Sequence, residues 1–334
     1  AIKRFSPDSL SIMEFKSQIT YQVAEKIYAN HPLLGETLES GWNVKFTREF
    51  DITNDRHLFN TQGKGLPLYE GKMIHQFDAN FAEPKFWLEE QPASERLASK
   101  YSVSSSELDY LKPRLAYRGI ASSTNSRTLM TTILPPRVFS EGRSATTVKT
   151  KFISEKEQLF ACACLNALPL DWILRQKVAA NVNMFHMYSL PLPRLTVDNP
   201  YFDALVSRAA CLTCVRDDFA DLWQDVMGTP FTPTPADTPL DVPTNQSVPS
   251  ADLKPNLNRT GWQPVVNEAK RQIFRNEIDA LVAHLYGLSH DEFAHILATF
   301  PLVFADDAVG KTKKEALLAV YDTFADTVKD WSRA

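Results

Sequence analysis

Two aspartates, a glutamate and a lysine in the first quarter of the chain have the types that divalent-metal chemistry requires. Asp51 or Asp55 precedes a stretch that carries Glu70 and Lys72 at alternate positions. Many nucleases hold Mg²⁺ with carboxylates on neighbouring strands, while a lysine polarises the phosphate or the attacking water. In a strand over residues 66–77, Glu70 and Lys72 would share one face. The pattern predicts a candidate nuclease site at Asp55, Glu70 and Lys72, and a solvated strand edge is the alternative interpretation.

A second group of candidate side chains lies in a segment rich in arginine, hydroxyl and amide groups. Residues 117–128 have the sequence Tyr-Arg-Gly-Ile-Ala-Ser-Ser-Thr-Asn-Ser-Arg-Thr. Such groups bind phosphate oxygens, and arginine and asparagine also bind base edges through paired hydrogen bonds. Residues 101–180 carry eleven basic and six acidic side chains, a net +5, which leaves −9 for the remainder. This pattern favours nucleic-acid contact, although a Ser/Thr-rich loop with solvated arginines has the same composition.

The four cysteines form two close pairs. Cys162 and Cys164 are separated by one residue, and Cys211 and Cys214 by two. Tetrahedral zinc sites use such pairs on tight turns. Both pairs lie within apolar runs, however, so packing as small apolar side chains is the favoured interpretation, and no disulfide is expected in a reducing compartment.

The elements that must position these side chains change in type along the chain. Apolar residues spaced three and four apart predict a helix within residues 7–38 and further helices over 153–178, 201–227, 265–286 and 312–331. Gly287 is placed to cap one of them, and Ser289 with Glu292 forms a capping box that starts another. Short β-rich stretches separated by loops are predicted at 42–50, 66–77, 114–120 and 129–138.

These elements predict an α+β fold in four parts. The parts are an N-terminal helical segment (1–40), a β-rich domain flanked by helices (41–227), a Pro-rich connector (228–260) and a helical C-terminal subdomain (261–334). The connector has few large apolar residues, so we expect it to be extended or disordered.

Composition sets limits on the class of protein. The chain has 334 residues, 44% hydrophobic and 23% charged, with a formal net charge of −4. Whole-chain basicity therefore cannot drive indiscriminate binding to a polyanion. The sequence contains neither an apolar run of the ~18 residues that a membrane helix needs nor a signal-peptide pattern near its start, so we expect a cytoplasmic protein with no membrane partner.

Four longer strings, spread in order along nearly the whole chain, are specific enough to compare with known families. They are residues 66–78 (LPLYEGKMIHQFD), 117–128 followed by 133–136 (ILPP), 165–177 (LNALPLDWILRQK), and 277–287 with 296–301. Together they resemble the C-terminal region of type IIG-like restriction-modification enzymes, which are bacterial adenine-N6 DNA methyltransferases. The helix that begins at Leu165, followed by Leu-Pro-Leu-Pro at 190–193, is also similar to the target recognition domains of type I specificity subunits.

The resemblance implies that the chain is a target recognition domain with a helical C-terminal extension, a sequence-specific module for double-stranded DNA. In such enzymes methyl transfer and any cleavage reside in domains that precede this region. No catalytic residue, cofactor or metal is therefore expected here; S-adenosylmethionine, and Mg²⁺ where the parent cleaves, would belong to catalytic domains that are partners in cis or in trans. The chain indeed lacks a Gly-rich cofactor turn, and Asn199-Pro-Tyr201 is an incomplete Asn-Pro-Pro-Tyr box.

On this interpretation, eleven side chains are the expected DNA contacts. Basic side chains would bind phosphates, while Asn125, Gln76 and one arginine would bind base edges. The full set is Lys72, His75, Gln76, Arg114, Arg118, Ser122, Ser123, Thr124, Asn125, Arg127 and Lys177. The alternatives are the Mg²⁺-dependent nuclease using Asp55, Glu70 and Lys72, and a structural protein-interaction module built on the C-terminal helices.

Overall fold

The named strands form two four-stranded sheets. The computed structural model describes residues 17–29, 31–122, 124–178, 180–232 and 255–331. The first sheet is antiparallel with the order β1–β8–β5–β6, namely β1 (Phe46–Thr47), β8 (Ala145–Val148), β5 (Arg114–Arg118) and β6 (Thr131–Leu134). The second has the order β2–β4–β3–β7, namely β2 (Phe59–Asn60), β4 (Phe86–Leu88), β3 (Leu66–Tyr69) and β7 (Phe139–Ser140), and its β3–β7 pair is parallel.

Strand β5 is the centre of the first sheet. Ala116 lies opposite Thr132 on β6 and Thr147 on β8. The two partner strands are rich in β-branched residues and fully buried, as a covered sheet requires. Arg118, the last residue of β5, is the first to be partly exposed, so the chain leaves the core there.

Ten helices are described. They are α1 (Gln18–Ala29), α2 (Glu90–Tyr101), α3 (Glu155–Asn166), α4 (Leu168–Arg175), α5 (Met184–Tyr188), α6 (Pro200–Thr213), α7 (Ala220–Met227), α8 (Glu268–Leu285), α9 (His290–Ala298) and α10 (Ala308–Trp331). The capping box of Ser289 and Glu292 is confirmed at the start of α9. Gly287 follows α8 with φ +66°, which a glycine adopts without strain.

Two predicted helices are each divided. The prediction of one helix over 153–178 is wrong because Ala167 is extended between α3 and α4. Pro169 in the first turn of α4 has no N–H to continue the ladder of α3. The predicted 201–227 helix is likewise interrupted between α6 and α7 by a short 3-10 turn at Asp217–Phe219. Helix α2 lies inside the region for which only strands and loops were predicted.

The helices stack in layers on the first sheet. Helix α3 contacts β5 and β6, α6 packs on α3, α8 packs on α6, and α10 packs on α8. One hydrophobic cluster extends from Val23 of α1 to Val328 of α10. The predicted C-terminal subdomain therefore shares its core with the β-rich part. The α+β class is confirmed.

All four cysteines lie in this shared core. They are unpaired and buried, and burial raises the pKa of Cys162 and of Cys211 to about 12. They pack as small apolar side chains.

The described residues leave two predictions only partly covered. Most of the predicted connector, residues 233–254, and residues 1–16 of the predicted N-terminal helical segment lie outside them. Among the residues described, no helix combines the length and the apolar character needed to span a membrane.

Candidate nucleic-acid interface

The edge strand β1 borders a basic groove, hereafter the β1 groove. It consists of two adjoining open depressions of about 590 and 430 Å³ that share Phe46. Among the described residues, no Asp or Glu lines either depression, whereas five cations do: Lys45, Arg48, Lys100, Lys149 and Lys151. Such a surface attracts a polyanion although the chain as a whole is acidic.

Strand pairing brings these cations together. Lys45 and Arg48 flank β1, while Lys149 and Lys151 follow β8. Phe46 pairs with Val148, and the amide of Lys149 donates to the carbonyl of Lys45 at 2.8 Å. Lysines that are far apart in sequence are thus held side by side.

The ammonium groups rest on aromatic rings. Those of Lys45 and Lys151 lie 4.5 and 5.0 Å from the ring centroid of Phe152, and that of Lys149 lies 4.9 Å from the ring centroid of Tyr101. None of the groove cations is in an ion pair within the described part of the chain. Their charge is therefore available to a ligand.

Lys100 has a different role from the other cations. Its ammonium group donates to the carbonyls of Arg48 and Glu49 at 2.7 and 2.8 Å. Burial lowers its pKa. Lys100 therefore fixes the backbone next to β1 as well as adding charge.

Two acidic residues that act on the groove cation Lys100, Glu49 and Asp55, are already engaged. Glu49 accepts two hydrogen bonds from the buried Arg114, at 2.8 and 3.0 Å. Asp55 accepts from Arg96 at 2.9 Å. Because these carboxylates are paired, they offset little of the positive charge in front of them.

The predicted segment 117–128 begins in β5, and its remainder, residues 119–128 (hereafter the contact loop), lies beside the β1 groove. Ile120 pairs with Asn181 in an isolated bridge, and the amide of Val182 donates to the carbonyl of Gly119 at 2.8 Å. Residues 183–185, which follow directly, line the groove, and Phe185 among them is 44% exposed. On its other side, Gly119 lies against the backbone of Arg143. A Cβ at Gly119 would lie 2.1 Å from the Arg143 carbonyl oxygen, so this close approach of the two segments requires glycine at position 119.

Asp171 of α4 anchors the far end of this loop. Its fully buried carboxylate accepts from the amides of Thr128 and Leu129 at 3.1 and 3.0 Å. It also pairs with Arg127 at 3.0 Å and with Arg175 at 3.7 Å. Arg175 donates in turn to the Ser126 carbonyl at 2.8 Å. One carboxylate thus fixes the loop to the helix layer.

The exposed end of the loop carries the predicted polar side chains. The hydroxyls of Ser122 and Thr124 lie 2.8 Å apart, and Thr124 and Asn125 are exposed. Arg118 is half-buried and donates to the Ile120 carbonyl at 3.0 Å. Ser123 lies outside the described residues.

Two predicted DNA contacts are instead internal, and a third is half-buried. Arg114 is 0% exposed in its pair with Glu49, and Arg127 is 8% exposed. Lys177 donates to the Ser189 hydroxyl at 2.8 Å, and burial lowers its pKa to about 7. Because Arg114 and Arg127 have little or no surface in this structure, they are corrected to structural residues, whereas Lys177 stays a prediction.

The predicted nuclease site is not assembled as expected. Strand β3 ends at Tyr69, and Glu70 precedes a 3-10 turn that includes Lys72, so strand alternation does not apply to them. Lys72 is exposed and pairs with Glu70 at 3.3 Å. Asp55 is 2% exposed. The described residues contain no group of three or more His, Cys, Asp or Glu side chains that could hold a metal ion.

His75 and Gln76 face a separate cavity, hereafter the α8 cavity. It has a volume of about 250 Å³ and shares no lining residue with the β1 groove. Arg127 also lines it. Gln76 donates to the Asn166 carbonyl at 2.9 Å, and the His75 ring stacks on Phe81 with centroids 4.6 Å apart.

Sequence reasoning missed most of the β1 groove. Lys149 and Lys151 belong to the basic half that was identified, but Lys45 and Arg48 lie outside it. The one local signal was the excess of lysine around 149–156; the convergence with β1 depends on strand pairing.

Comparison with known proteins assigns no family to this fold: no family model matches the chain, and no curated protein sequence matches it.

Proposed function

We propose that the chain is a sequence-specific recognition module for double-stranded DNA, of the kind that directs a bacterial adenine-N6 methyltransferase to its site. The β1 groove is the observation that carries the proposal, since it gathers five cations and no described carboxylate beside a loop of exposed polar side chains. Phosphate contacts supply affinity for any duplex, and contacts to base edges supply specificity.

The groove and the loop would divide this work. Lys45, Lys149 and Lys151 bind phosphates and displace condensed counterions. Asn125 is exposed on the adjoining loop, and an asparagine side chain can hydrogen-bond two atoms of an adenine edge at once. Phe185 supplies an apolar contact between the two regions.

The resemblance supports the choice of parent enzyme. The strings at 66–78, 117–128 and 165–177 fall on β3 and the loop after it, the contact loop, and the α3–α4 pair. Methyl transfer would belong to partner domains, in cis or in trans, which would hold S-adenosylmethionine and, where the parent cleaves DNA, Mg²⁺. The residues of this chain bind and orient the duplex.

Selection from a randomised duplex pool tests the proposal. Duplexes retained by the chain are sequenced, and the enriched sequence and its scrambled version are then titrated at several salt concentrations. We expect one enriched motif, tighter binding to it, and affinity that falls steeply with salt. Equal retention of all sequences contradicts sequence specificity. Cleavage of plasmid by the chain with Mg²⁺ would instead support the nuclease alternative, and absence of duplex binding would support a protein-interaction module.

A further inference from the structure

The α8 cavity has a mixed polar and apolar lining, and it lies between α8, α10, the loop after β3 and the contact loop. Its lining includes Asn276 and Asp279, which are one helical turn apart on α8 and therefore on the same face. Each of these two residues is only 7% exposed. Two polar side chains therefore lie at the wall of one small, partly open cavity.

Both side chains have an unused hydrogen-bonding atom. The Asn276 Oδ1 accepts from Gln272 at 2.7 Å, but its Nδ2 donates to no described residue. The Asp279 Oδ1 accepts from the Leu168 amide at 2.7 Å, whereas its Oδ2 has no partner among the described residues. Neither atom is among the fully buried polar atoms that lack a partner, so both are accessible from the cavity to a molecule that enters it.

A third polar group of the lining, His75, is also suited to a neutral ligand. The His75 imidazole has no hydrogen-bond partner among the described side chains. Burial, and secondarily nearby arginines, lower its pKa to about 4. It is therefore neutral at pH 7, with one nitrogen that donates and one that accepts.

The cations of the cavity do not favour an anionic ligand. Arg275 pairs with Glu268, and Arg127 pairs with Asp171. Lys313, the third cation of the lining, also has an interaction partner. Because the positive charges are matched, the groups left for a ligand are the Asn276 amide, the Asp279 carboxylate and the neutral His75 imidazole, together with the Ser126 hydroxyl and Gln76 Oε1.

These groups match one edge of a nucleobase. A carboxylate oxygen beside an amide N–H is complementary to a ring that places an N–H donor next to an acceptor, as the hydrogen-bonding edges of bases do. Phe81 and Phe304 supply apolar walls. A volume of about 250 Å³ is below the ~300–1,000 Å³ of pockets for larger ligands, so the cavity has room for a base or nucleoside but not for a larger ligand.

We propose that the α8 cavity binds a nucleobase, which donates to Asp279 Oδ2 and accepts from Asn276 Nδ2. The base has two possible sources with the same chemistry, a free nucleoside or nucleotide and a base extruded from nucleic acid. This cavity is separate from the β1 groove, so the test of nucleobase binding does not depend on whether the β1 groove binds DNA.

Calorimetric titration of the full chain with guanosine, adenosine, cytidine and thymidine tests the first source. A duplex with one bulged 2-aminopurine, followed by its fluorescence, tests the second. Asp279→Asn keeps an oxygen for the Leu168 amide and replaces the free acceptor by a donor. Ala316→Phe, on α10, fills the cavity and leaves the polar groups of the cavity unchanged. Because it blocks the cavity by a different route from Asp279→Asn, agreement between the two variants shows that lost binding is not a folding defect of one of them. Asp326→Asn, on an exposed side chain of α10, is the matched control.

We expect at least one probe to bind, and both cavity variants to weaken it about 10-fold or more while the control does not. Binding of nucleosides alone assigns a free ligand. A fluorescence change that both cavity variants abolish assigns an extruded base. If no probe binds the wild-type chain, or if neither cavity variant weakens binding, the proposal is overturned.

Discussion

Arg114 and Glu49 form a bidentate ion pair that is closed to solvent. The guanidinium Nε and Nη2 of Arg114 donate to the two carboxylate oxygens of Glu49 at 2.8 and 3.0 Å, and Nη2 also donates to the Val138 carbonyl at 2.7 Å. The second carboxylate oxygen accepts further from the Ser140 amide at 2.8 Å. The pair thereby joins the first sheet, through β5, to β7 of the second sheet.

We expect Arg114→Met to lower the free energy of unfolding by about 3 to 5 kcal/mol, because it leaves the buried Glu49 carboxylate without its cation. Denaturant unfolding followed by circular dichroism measures the change. Arg137→Ala is the matched control, since the Arg137–Glu90 pair is exposed and such pairs contribute about 1 kcal/mol or less. An Arg114→Met chain of wild-type stability that binds DNA more weakly would return Arg114 to the DNA contacts.

Local pattern was sufficient for part of this fold. Strands β5 and β6 lie within the β-rich stretches predicted at 114–120 and 129–138, and α9 was predicted because Ser289 and Glu292 form a capping box at its start. Helix α2 was missed because it buries only Ala93, Ser94 and Leu97, too short an apolar stripe to show a helical period.

Functional residues were harder to predict because their partners lie far along the chain. Arg127 was expected to contact DNA, yet its charge partner Asp171 is supplied by α4, and no local signal distinguishes a paired arginine from a free one. Lys45 lies next to Lys149 only because β1 pairs with β8. The sequence shows which side chains are charged, but only the folded structure shows which of them are buried and which form ion pairs.

Asp171→Asn should loosen the contact loop. The amide side chain cannot compensate both Arg127 and Arg175, and only its oxygen can accept from Thr128 and Leu129. We expect faster hydrogen exchange at the amides of Thr128 and Leu129. If the loop reads base edges, the preference for the selected duplex over its scrambled version should also fall about 5-fold or more, for a loss of at least ~1 kcal/mol.

The control for this change is Asp203→Asn, which alters an exposed carboxylate on α6. It should change neither exchange nor sequence preference. Unaltered exchange at Thr128 and Leu129 in the Asp171 variant would show that the carboxylate does not order the loop.

Removal of three groove cations should weaken binding to every duplex alike. In the variant Lys45→Ala, Lys149→Ala and Lys151→Ala, each lost phosphate contact lowers the slope of log affinity against log salt by about 0.9. We therefore expect a slope smaller by about 2 to 3, with the ratio of selected to scrambled binding little changed. Fluorescence anisotropy at several salt concentrations measures both quantities.

A triple variant with the same charge change separates local from global effects. Lys64, Lys85 and Lys329 are exposed and lie outside the β1 groove. Their replacement by alanine should leave the salt slope within about 0.5 of the wild-type value. Equal slopes for the two triple variants would mean that the β1 groove does not contact phosphates.

The Asp279 carboxyl should make stability depend on pH. Burial raises its pKa to about 6, from an ordinary value of 3.8, and the smaller influence of nearby Arg127 and Arg275 opposes that rise. Between about pH 4 and pH 6 the folded protein holds a proton on Asp279 that the unfolded chain releases. The free energy of unfolding therefore falls as pH rises from about 4 to 6. Above about pH 6 the carboxyl is ionised in both states, so its contribution to the free energy of unfolding no longer changes with pH. Ionised Asp279 therefore costs stability at neutral pH.

Asp279→Asn removes this cost because an amide does not ionise, and its oxygen still accepts from the Leu168 amide. We expect the variant to be more stable than the wild type at pH 7.5 by roughly 1 to 3 kcal/mol, since one pKa unit corresponds to about 1.4 kcal/mol. The advantage should shrink through pH 6 and be lost near pH 4, where both chains are neutral at this position. Denaturant midpoints from pH 4 to 8 measure the difference, and exposed Asp326→Asn should show no such trend. A stability difference that is the same at every pH would mean that Asp279 titrates alike in the folded and unfolded chain, so that its burial does not raise its pKa.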